Sequence, residues 1–246
     1  MKKILTIIIV LLEINLLYSQ NTMYIHQTGG SVINYPLSSI DSITFGTSHG
    51  TVTDFDGNMY DTIIICGQIW LKQNLKVTRY RNGESIPNNT ENTAWSNLTT
   101  GSYCDYENTP GNSSTYGKLY NYYTVIDSRN LCPTGWHVPS DAEWTTLENC
   151  LGGINIAGAD LKETGTTHWK TPNTGATNSI GFTALPGGYR DINGDYGNIS
   201  EQGYWWSTTG SSSSYAYFHS LTYDNKGVSR GNYSRSFGFS VRCVKD

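Results

Sequence analysis

The pattern of apolar and polar residues begins with a short leader. Residues 1–3 include two lysines, and residues 4–12 are apolar except for Thr6. A basic start, a short apolar run and a small residue before the break are typical of a secretory signal peptide, which we expect to end at Ser19. The apolar run is shorter than the roughly 20 residues that a transmembrane helix needs. The sequence therefore predicts an exported protein with no membrane span once residues 1–19 are removed.

Residues 20–50 follow a different pattern, in which short alternating runs are separated by turn residues. Residues 23–26 and 31–35 are predicted to form two strands around a turn at Gly29-Gly30, and residues 40–45 a third strand. We interpret this segment as an N-terminal arm that ends in a linker. An alternative interpretation is that the arm adds its strands to the main domain.

The most regular pattern in the chain predicts a helix over about residues 141–151. Ser140 and Glu143 have the spacing of a capping box, which satisfies backbone N–H groups at a helix start. Apolar residues then recur at helical spacing, at Trp144, Leu147 and Leu151. Gly152-Gly153 is typical of a helix end.

The rest of residues 53–246 alternates short apolar runs with turn residues. Short helices are predicted at residues 119–125 and 157–163, and residues 82–110 are polar enough to form a long surface loop. After Gly181 the chain breaks into short strands separated by glycine turns. The expected fold class is α+β, with short antiparallel strands, one well-capped helix and long irregular loops.

Composition changes this picture by excluding some functions. Charged residues are 15% of the chain and the formal net charge is −4, without clusters of lysine and arginine, so a nucleic-acid surface is not expected. Five cysteines in an exported protein favour disulfides over metal ligands, and none forms a C-x-x-C pair. The odd count leaves at least one thiol unpaired or bonded to another molecule, and the spacing alone does not give the pairing.

One loop has the composition of a cation site. Asp191, Asn193 and Asp195 place oxygen side chains at alternate positions, and Glu201 follows. No cofactor is expected; calcium, which binds six to eight such oxygens, is the one alternative that these residues allow. An ordinary Asn-Gly turn explains the same residues. The histidines have no metal-ligand spacing, and no catalytic residues are identified.

Aromatic residues cluster in the last third of the chain among Asn, Ser and Gly. Such surfaces suit flat sugar faces or another protein, so we take these rings as candidate contacts, namely Tyr189, Tyr204, Trp205, Trp206, Tyr217 and Tyr223. Trp205 and Trp206 must point to opposite faces if they lie in a strand. We therefore expect one of the two in the core and the other in contact with a ligand.

The chain resembles the Fibrobacter succinogenes major paralogous domain family over about residues 53–246. The resemblance rests on motifs that occur in order, at residues 54–58, 70, 74–76, 116–121, 132–144, 165–169, 181–190, 203–207 and 238–243. This family is a recurring domain of exported bacterial proteins. Its pattern is similar in turn to the formylglycine-generating-enzyme branch of the C-type-lectin-like fold, which starts its helix and ends its last strand in the same way.

The resemblance implies a last strand that returns beside residues 131–138. It also implies a disulfide between Cys132 and Cys243, for either of which Cys104 is a competing partner. Cys66 and Cys150 are candidates for a second bridge, which the resemblance itself does not imply. The enzyme branch oxidises a cysteine with paired thiols before the closing strand. This chain has no cysteine between Cys150 and Cys243, so formylglycine generation is not expected.

Together these features predict an exported, non-catalytic binding or adhesion domain. Its partner would be a glycan or a cell-surface protein, bound by the Tyr/Trp-rich loops of residues 189–235. The first alternative is a polysaccharide-acting enzyme, which needs two carboxylates facing each other across a cleft. The second is a structural surface module without a fixed ligand. The sequence leaves open whether export ends in the periplasm, at the cell surface or in the medium.

Overall fold

The computed structural model describes residues 22–26, 32–36, 38 and 48–246. The chain divides into two compact units, Met1–Gly46 and Thr47–Asp246. The predicted signal peptide and the strand predicted at residues 40–45 lie outside the described residues.

Short strands make up most of the regular structure. The strands are β1 (Thr22–His26), β2 (Val32–Pro36), β3 (Ser48–Thr53), β4 (Met59–Ile65), β5 (Gln68–Leu71), β6 (Tyr103–Cys104), β7 (Leu119–Asn121), β8 (Trp136–His137), β9 (Gly187–Arg190), β10 (Tyr196–Ile199), β11 (Gln202–Gly210), β12 (Tyr215–Thr222), β13 (Ser229–Ser234), β14 (Gly238–Phe239) and β15 (Val244–Lys245). The α-helices are α1 (Asn92–Ser96), α2 (Pro110–Tyr116), α3 (Tyr122–Val125), α4 (Asp141–Cys150) and α5 (Ala157–Leu161).

In the N-terminal unit, β1 and β2 pair antiparallel, so the first two predicted strands are present. The C-terminal unit begins with β3, which pairs with β4 and occupies part of the stretch expected to be a linker. The turn between β3 and β4 is closed by Asp54, whose Oδ1 accepts hydrogen bonds from the backbone N–H groups of Asp56 and Asn58. A short acidic side chain that mimics a backbone turn explains why this hairpin forms here.

Two larger sheets build the C-terminal unit. One has the strand order β3-β4-β5-β15-β8, and the other β13-β12-β11-β9-β14-β7-β6 with β10 paired to β9. The pairing of β11 with β9 is parallel, whereas the other pairings are antiparallel. The fold is therefore mixed α+β, mostly sheet with few helices, as the sequence predicts.

The last strand returns to the middle of the chain. In β15, Val244 pairs with Trp70 of β5 on one side and with His137 of β8 on the other. A disulfide joins Cys132 to Cys243 immediately before these paired strands. This is the return that the family resemblance implies.

The helices differ from the predictions mainly where the same residues pair with a neighbouring strand instead of forming a helix. Helix α4 has the predicted capping box, with Ser140 and Glu143 each bonded to the other's backbone N–H. The helix predicted over residues 119–125 instead starts as β7, because those residues pair with β14 and β6, and only then continues as α3. The loop predicted at residues 82–110 contains α1 and β6, anchored by the buried Trp95.

Strand β11 separates two hydrophobic clusters. Trp206 packs in one of them, with its ring centroid 4.4 Å from that of Phe239. Trp205 packs in the other, 6.3 Å from Trp144 of α4. The two tryptophans do point to opposite faces, as strand geometry requires. Both are buried because both faces of this internal strand are covered.

In the part of the chain that the structure describes, every helix is too short or too polar to cross a membrane.

Candidate functional site

The structure separates the six rings predicted as ligand contacts. The three rings of β11 are buried, namely Tyr204, Trp205 and Trp206. This differs from the expectation that one of the two tryptophans contacts a ligand. The other three are half-buried and lie in different surroundings. Tyr189 packs against Phe237, Tyr217 lies under the guanidinium of Arg230, and Tyr223 lies near the ammonium of Lys170. The candidate set is therefore not one surface.

A second group of rings, which includes Tyr189, forms a partly exposed row that we call the aromatic ledge: Tyr189, Tyr233 and Phe237. The ring centroids of Tyr189 and Phe237 are 5.9 Å apart, and Phe237 stacks on Tyr233 at 4.6 Å. Tyr233 is 40% exposed. The sequence analysis assigned Tyr189 to the site but neither Tyr233 nor Phe237. The two-residue spacing of Phe237 and Phe239, whose ring centroids are 5.6 Å apart, was a signal that could have identified Phe237.

Buried rings support the ledge from below. Tyr204 meets the ring of Tyr189 edge-on at 5.5 Å, and Phe218 stacks on Tyr233 at 4.9 Å. Phe239 lies 5.6 Å from Phe237. Because these supporting rings are fully packed, the ledge rings are held in place before any ligand arrives.

Two glycines make room for the ledge. Gly197 of β10 pairs with Tyr189, and a Cβ at this glycine would lie 2.7 Å from the tyrosine ring. Gly231 of β13 pairs with Phe218, and a Cβ there would lie 2.9 Å from the phenyl ring. Each aromatic ring therefore lies over a glycine of the neighbouring strand, where a side chain would clash with it.

Polar groups lie beside the ledge. The amide Nδ2 of Asn198 donates to the hydroxyl of Tyr204 at 2.9 Å, and the same amide contacts Gln202. Partial burial, and then the nearby charge of Asp191, raise the pKa of Tyr189. Its hydroxyl therefore stays protonated at neutral pH and is available as a hydrogen-bond donor.

The loop considered for calcium is a closed turn beside Tyr189. Asp191 Oδ1 accepts hydrogen bonds from the backbone N–H groups of Asn193 and Asp195, at 2.8 and 2.9 Å. The carboxylate of Glu201 binds Lys170 Nζ at 2.7 Å. Within the described ranges, no group of three or more His, Cys, Asp or Glu side chains is arranged to hold a metal ion. The Asx turn accounts for the residues of this loop.

A buried arginine fixes this loop to the rest of the domain. The guanidinium of Arg190, at the end of β9, lies between the rings of Trp95 and Tyr196. It donates to the carbonyl oxygens of Gly194, Asn89 and Thr90. The hairpin that carries Tyr189 is therefore anchored to the segment before α1.

Three of the cavities in the described domain are each lined by at most one carboxylate. Their volumes are about 220, 150 and 500 Å³. Asp54 lines the first and Asp127 the third, whereas the second has basic residues and no acidic one. None of them has the facing carboxylate pair that glycoside hydrolysis uses.

The acidic residues of α4 hold a buried histidine. His219 Nδ1 lies 2.5 Å from Glu148 Oε1, and its Nε2 lies 3.2 Å from Asp141 Oδ1. Its ring stacks on Trp144. Arg230 forms two further hydrogen bonds to Asp141, at 2.6 and 2.8 Å. These contacts join α4 to β12 and β13, so we assign the cluster a structural role.

All five cysteines lie within the described residues. Disulfides join Cys132 to Cys243 and Cys66 to Cys150, and Cys104 is a buried free thiol. Burial raises the pKa of Cys104 to about 11, so this thiol is protonated and unreactive at neutral pH.

Comparison with known proteins gives one match. The model of the Fibrobacter succinogenes major domain family matches residues 63–245. No curated protein matches the chain significantly, and neither does any solved structure. Because the matched stretch is well over half of the 246 residues, the chain belongs to the Fibrobacter succinogenes major domain family.

Proposed function

We propose that this protein is an exported, non-catalytic binding domain that recognises a glycan through the aromatic ledge. The observation that carries the proposal is the rigid, partly exposed row of Tyr189, Phe237 and Tyr233. Sugar rings present flat C–H faces, and such faces pack favourably on aromatic rings that are already ordered. The neighbouring amides of Asn198 and Gln202 and the hydroxyl of Tyr189 provide polar groups that orient a ligand.

Two structural features support the proposed setting and fold. Disulfides persist in oxidising compartments, so the Cys66–Cys150 and Cys132–Cys243 bridges support export. A last strand that returns beside the segment leading into α4 supports a C-type-lectin-like arrangement. We propose this fold assignment together with the binding role.

The proposal is tested with a Tyr233→Ser variant. Removing the most exposed ring of the ledge takes away one stacking surface, and burying such a ring contributes about 1.5–3 kcal/mol. We expect affinity for the bound glycan to fall by about tenfold or more. The measurement is a glycan-array screen of the purified protein, followed by calorimetric titration of the strongest ligand.

Tyr215→Ser is the matched control. Tyr215 is 47% exposed on β12 and is not part of the ledge. We expect this variant to bind as the wild type does. Tyr233→Ser also loses the ring contacts with Phe218 and Phe237, so its unfolding midpoint should fall, and affinities are compared under conditions where both variants are folded. Equal losses in the two variants, or no glycan bound by the wild type, would contradict the proposal. A cell-surface protein captured by the wild type but not by Tyr233→Ser would assign the ledge to protein recognition instead.

A further inference from the structure

One cavity of the domain is basic. Its volume is about 150 Å³, and its wall includes Lys72, Asn74, Thr115, Thr183 and Arg242. It has two cationic side chains, amide and hydroxyl groups, and no carboxylate in its lining. It shares no residue with the aromatic ledge, so a ligand in this cavity would be independent of the proposed glycan binding.

Arg242 supplies a buried positive charge to this wall. The side chain is 1% exposed, and within residues 48–246 no carboxylate lies within ion-pair distance of it. Its Nη1 donates to the carbonyl oxygen of Phe182, and its Nε and Nη2 donate to Asn74 Oδ1. Burial lowers the pKa of Arg242 to about 9. A buried charge without an opposite charge is unfavourable, so an anion next to it is strongly stabilised.

The guanidinium retains donors for such an anion. Arginine has five N–H groups, and each terminal nitrogen of Arg242 has two. Each of these nitrogens makes one hydrogen bond within the described domain. One N–H on Nη1 and one on Nη2 therefore have no protein acceptor among the described residues.

Lys72 adds a second charge to the same cavity. This half-buried residue follows β5 directly, and its backbone N–H bonds to Asp61. Its Nζ forms no hydrogen bond or ion pair within residues 48–246, although acidic side chains pair with other cations across the domain. Lys72 and Arg242 line the same cavity and give its wall a net positive charge; Asp61 bonds to Gln73, another residue of this wall.

The backbone next to Arg242 adopts a conformation that is unfavourable for its residue. Thr183 has φ +55°, a region that β-branched residues rarely occupy. Asn178 holds it there, through a hydrogen bond from Thr183 N to Asn178 Oδ1 at 2.8 Å. The preceding carbonyl, Phe182 O, is the acceptor for Arg242. Backbone strain of this kind concentrates at ligand sites.

We propose that this cavity binds a small oxyanion, which is a carboxylate, sulfate or phosphate group. Arg242 provides two N–H donors at the wall, and Lys72 provides a second cationic group. The hydroxyl of Thr115 is available to donate to a remaining oxygen, whereas that of Thr183 already bonds within its own loop. The charge pairing of a guanidinium and an ammonium with one small anion is the interaction that determines affinity.

The test is titration of the full-length mature protein with acetate, sulfate and inorganic phosphate at constant ionic strength. Binding is followed by calorimetry and by the NMR signal of the Arg242 Nε–H group. We expect saturable binding of at least one anion, with a shift of the Arg242 signal. The three titrations distinguish a carboxylate site from a sulfate or phosphate site.

Lys72→Ala is the decisive variant, because the ammonium it removes makes no hydrogen bond or ion pair within residues 48–246. We expect it to weaken anion binding by about tenfold. Lys245→Ala removes the same charge from an exposed position on β15 and serves as the control. Thr115→Val, at an exposed position on α2, is expected to weaken binding by a smaller factor. Absence of saturable binding in the wild type, or equal weakening by Lys72→Ala and Lys245→Ala, overturns the proposal.

Discussion

At the scale of single residues, buried cations bind main-chain carbonyls. Lys162 is fully buried, and its Nζ donates to three carbonyl oxygens, those of Thr174, Thr222 and Asn225. Arg190 binds three carbonyl oxygens in the same way, and Arg242 binds one. Carbonyl groups in irregular segments need hydrogen-bond donors when they are buried. These side chains supply donors where a sheet or helix does not.

His137 is a partly exposed cationic residue that lies between two carboxylates. Its Nδ1 lies 2.7 Å from Asp246 Oδ1, and its Nε2 lies 2.8 Å from Glu143 Oε1. Partial burial acts to lower the pKa of His137, but the hydrogen bonds to Asp246 and Glu143 outweigh it, and the net shift is upward from the ordinary 6.5. The charged histidine therefore stabilises the junction between β8, β15 and the start of α4.

This pKa shift predicts how stability changes with pH. The contribution of a base with a raised pKa is fully present below its unfolded pKa of about 6.5 and is lost as the pH rises through the folded value. Because the side chain is 38% exposed and screened by solvent, we expect about 0.5 kcal/mol. Urea unfolding at about pH 5.5 and about pH 8.5 should show the wild type losing this amount relative to His137→Gln. An unchanged difference between the two proteins at both pH values would refute the assignment.

At the scale of elements, α4 joins the two larger sheets. Its capping residue Glu143 binds His137 of β8, and its buried face holds His219 of β12. The helix start is therefore more than a local feature, because the same carboxylate caps the helix and holds the histidine.

The capping box gives a prediction at this scale. Ser140→Ala removes the acceptor for the N–H of Glu143, and loss of such a cap costs about 1 kcal/mol. Thr146→Ala is the control on the same helix, because Thr146 is exposed and its hydroxyl bonds only to the carbonyl of Ala142, one turn earlier. Chemical denaturation of both variants should show a loss of stability for Ser140→Ala and a change close to zero for Thr146→Ala. A similar loss in both would show that the capping box is not what stabilises the helix start.

At the scale of the whole domain, disulfides connect segments that are distant in sequence. The Cys132–Cys243 bridge spans 111 residues, and the Cys66–Cys150 bridge spans 84. The first holds the returning last strand, and the second joins the end of β4 to the end of α4. Cross-links over long loops stabilise a fold mainly by restricting the unfolded chain.

Removing the first bridge should therefore be costly. We expect the double variant Cys132→Ala/Cys243→Ala to lose about 4 kcal/mol of unfolding free energy. Cys104→Ala leaves both bridges intact and should lose about 1 kcal/mol, the cost of a small cavity. Guanidinium unfolding gives the energies, and peptide mapping without reductant gives the pairing. Recovery of a peptide that links Cys104 to another cysteine would contradict the structure.

The sequence predicts most accurately the elements whose signals lie within the element itself. The capping box and apolar spacing of α4 predict it nearly to the residue, since the signals lie within the helix. The return of the last strand follows from the family resemblance, because no local pattern in residues 239–244 specifies a partner. The helix expected over residues 119–125 forms only from Tyr122 onwards, because residues 119–121 pair with β14 and β6 instead.

The candidate site was only partly predictable. Alternation in β11 gives the opposite faces of Trp205 and Trp206, but it does not reveal that helix α4 and the β14 segment cover those faces. The ledge joins Tyr189, Tyr233 and Phe237 from three separate strands or turns. Such a surface is set by sheet order, and one sequence contains no direct signal of which strands become neighbours.

The buried cations that bind main-chain carbonyls affect which substitutions this fold tolerates. A guanidinium or ammonium that donates to backbone C=O groups depends only on the main chain, and every amino acid has the same C=O group. Replacements at Thr174, Asn225, Asn89 or Thr90 therefore leave the acceptors of Lys162 and Arg190 in place. The side chains of these loops can therefore change while the backbone conformation of the loops is kept. Different binding surfaces can arise in this way without a change in the core of the domain.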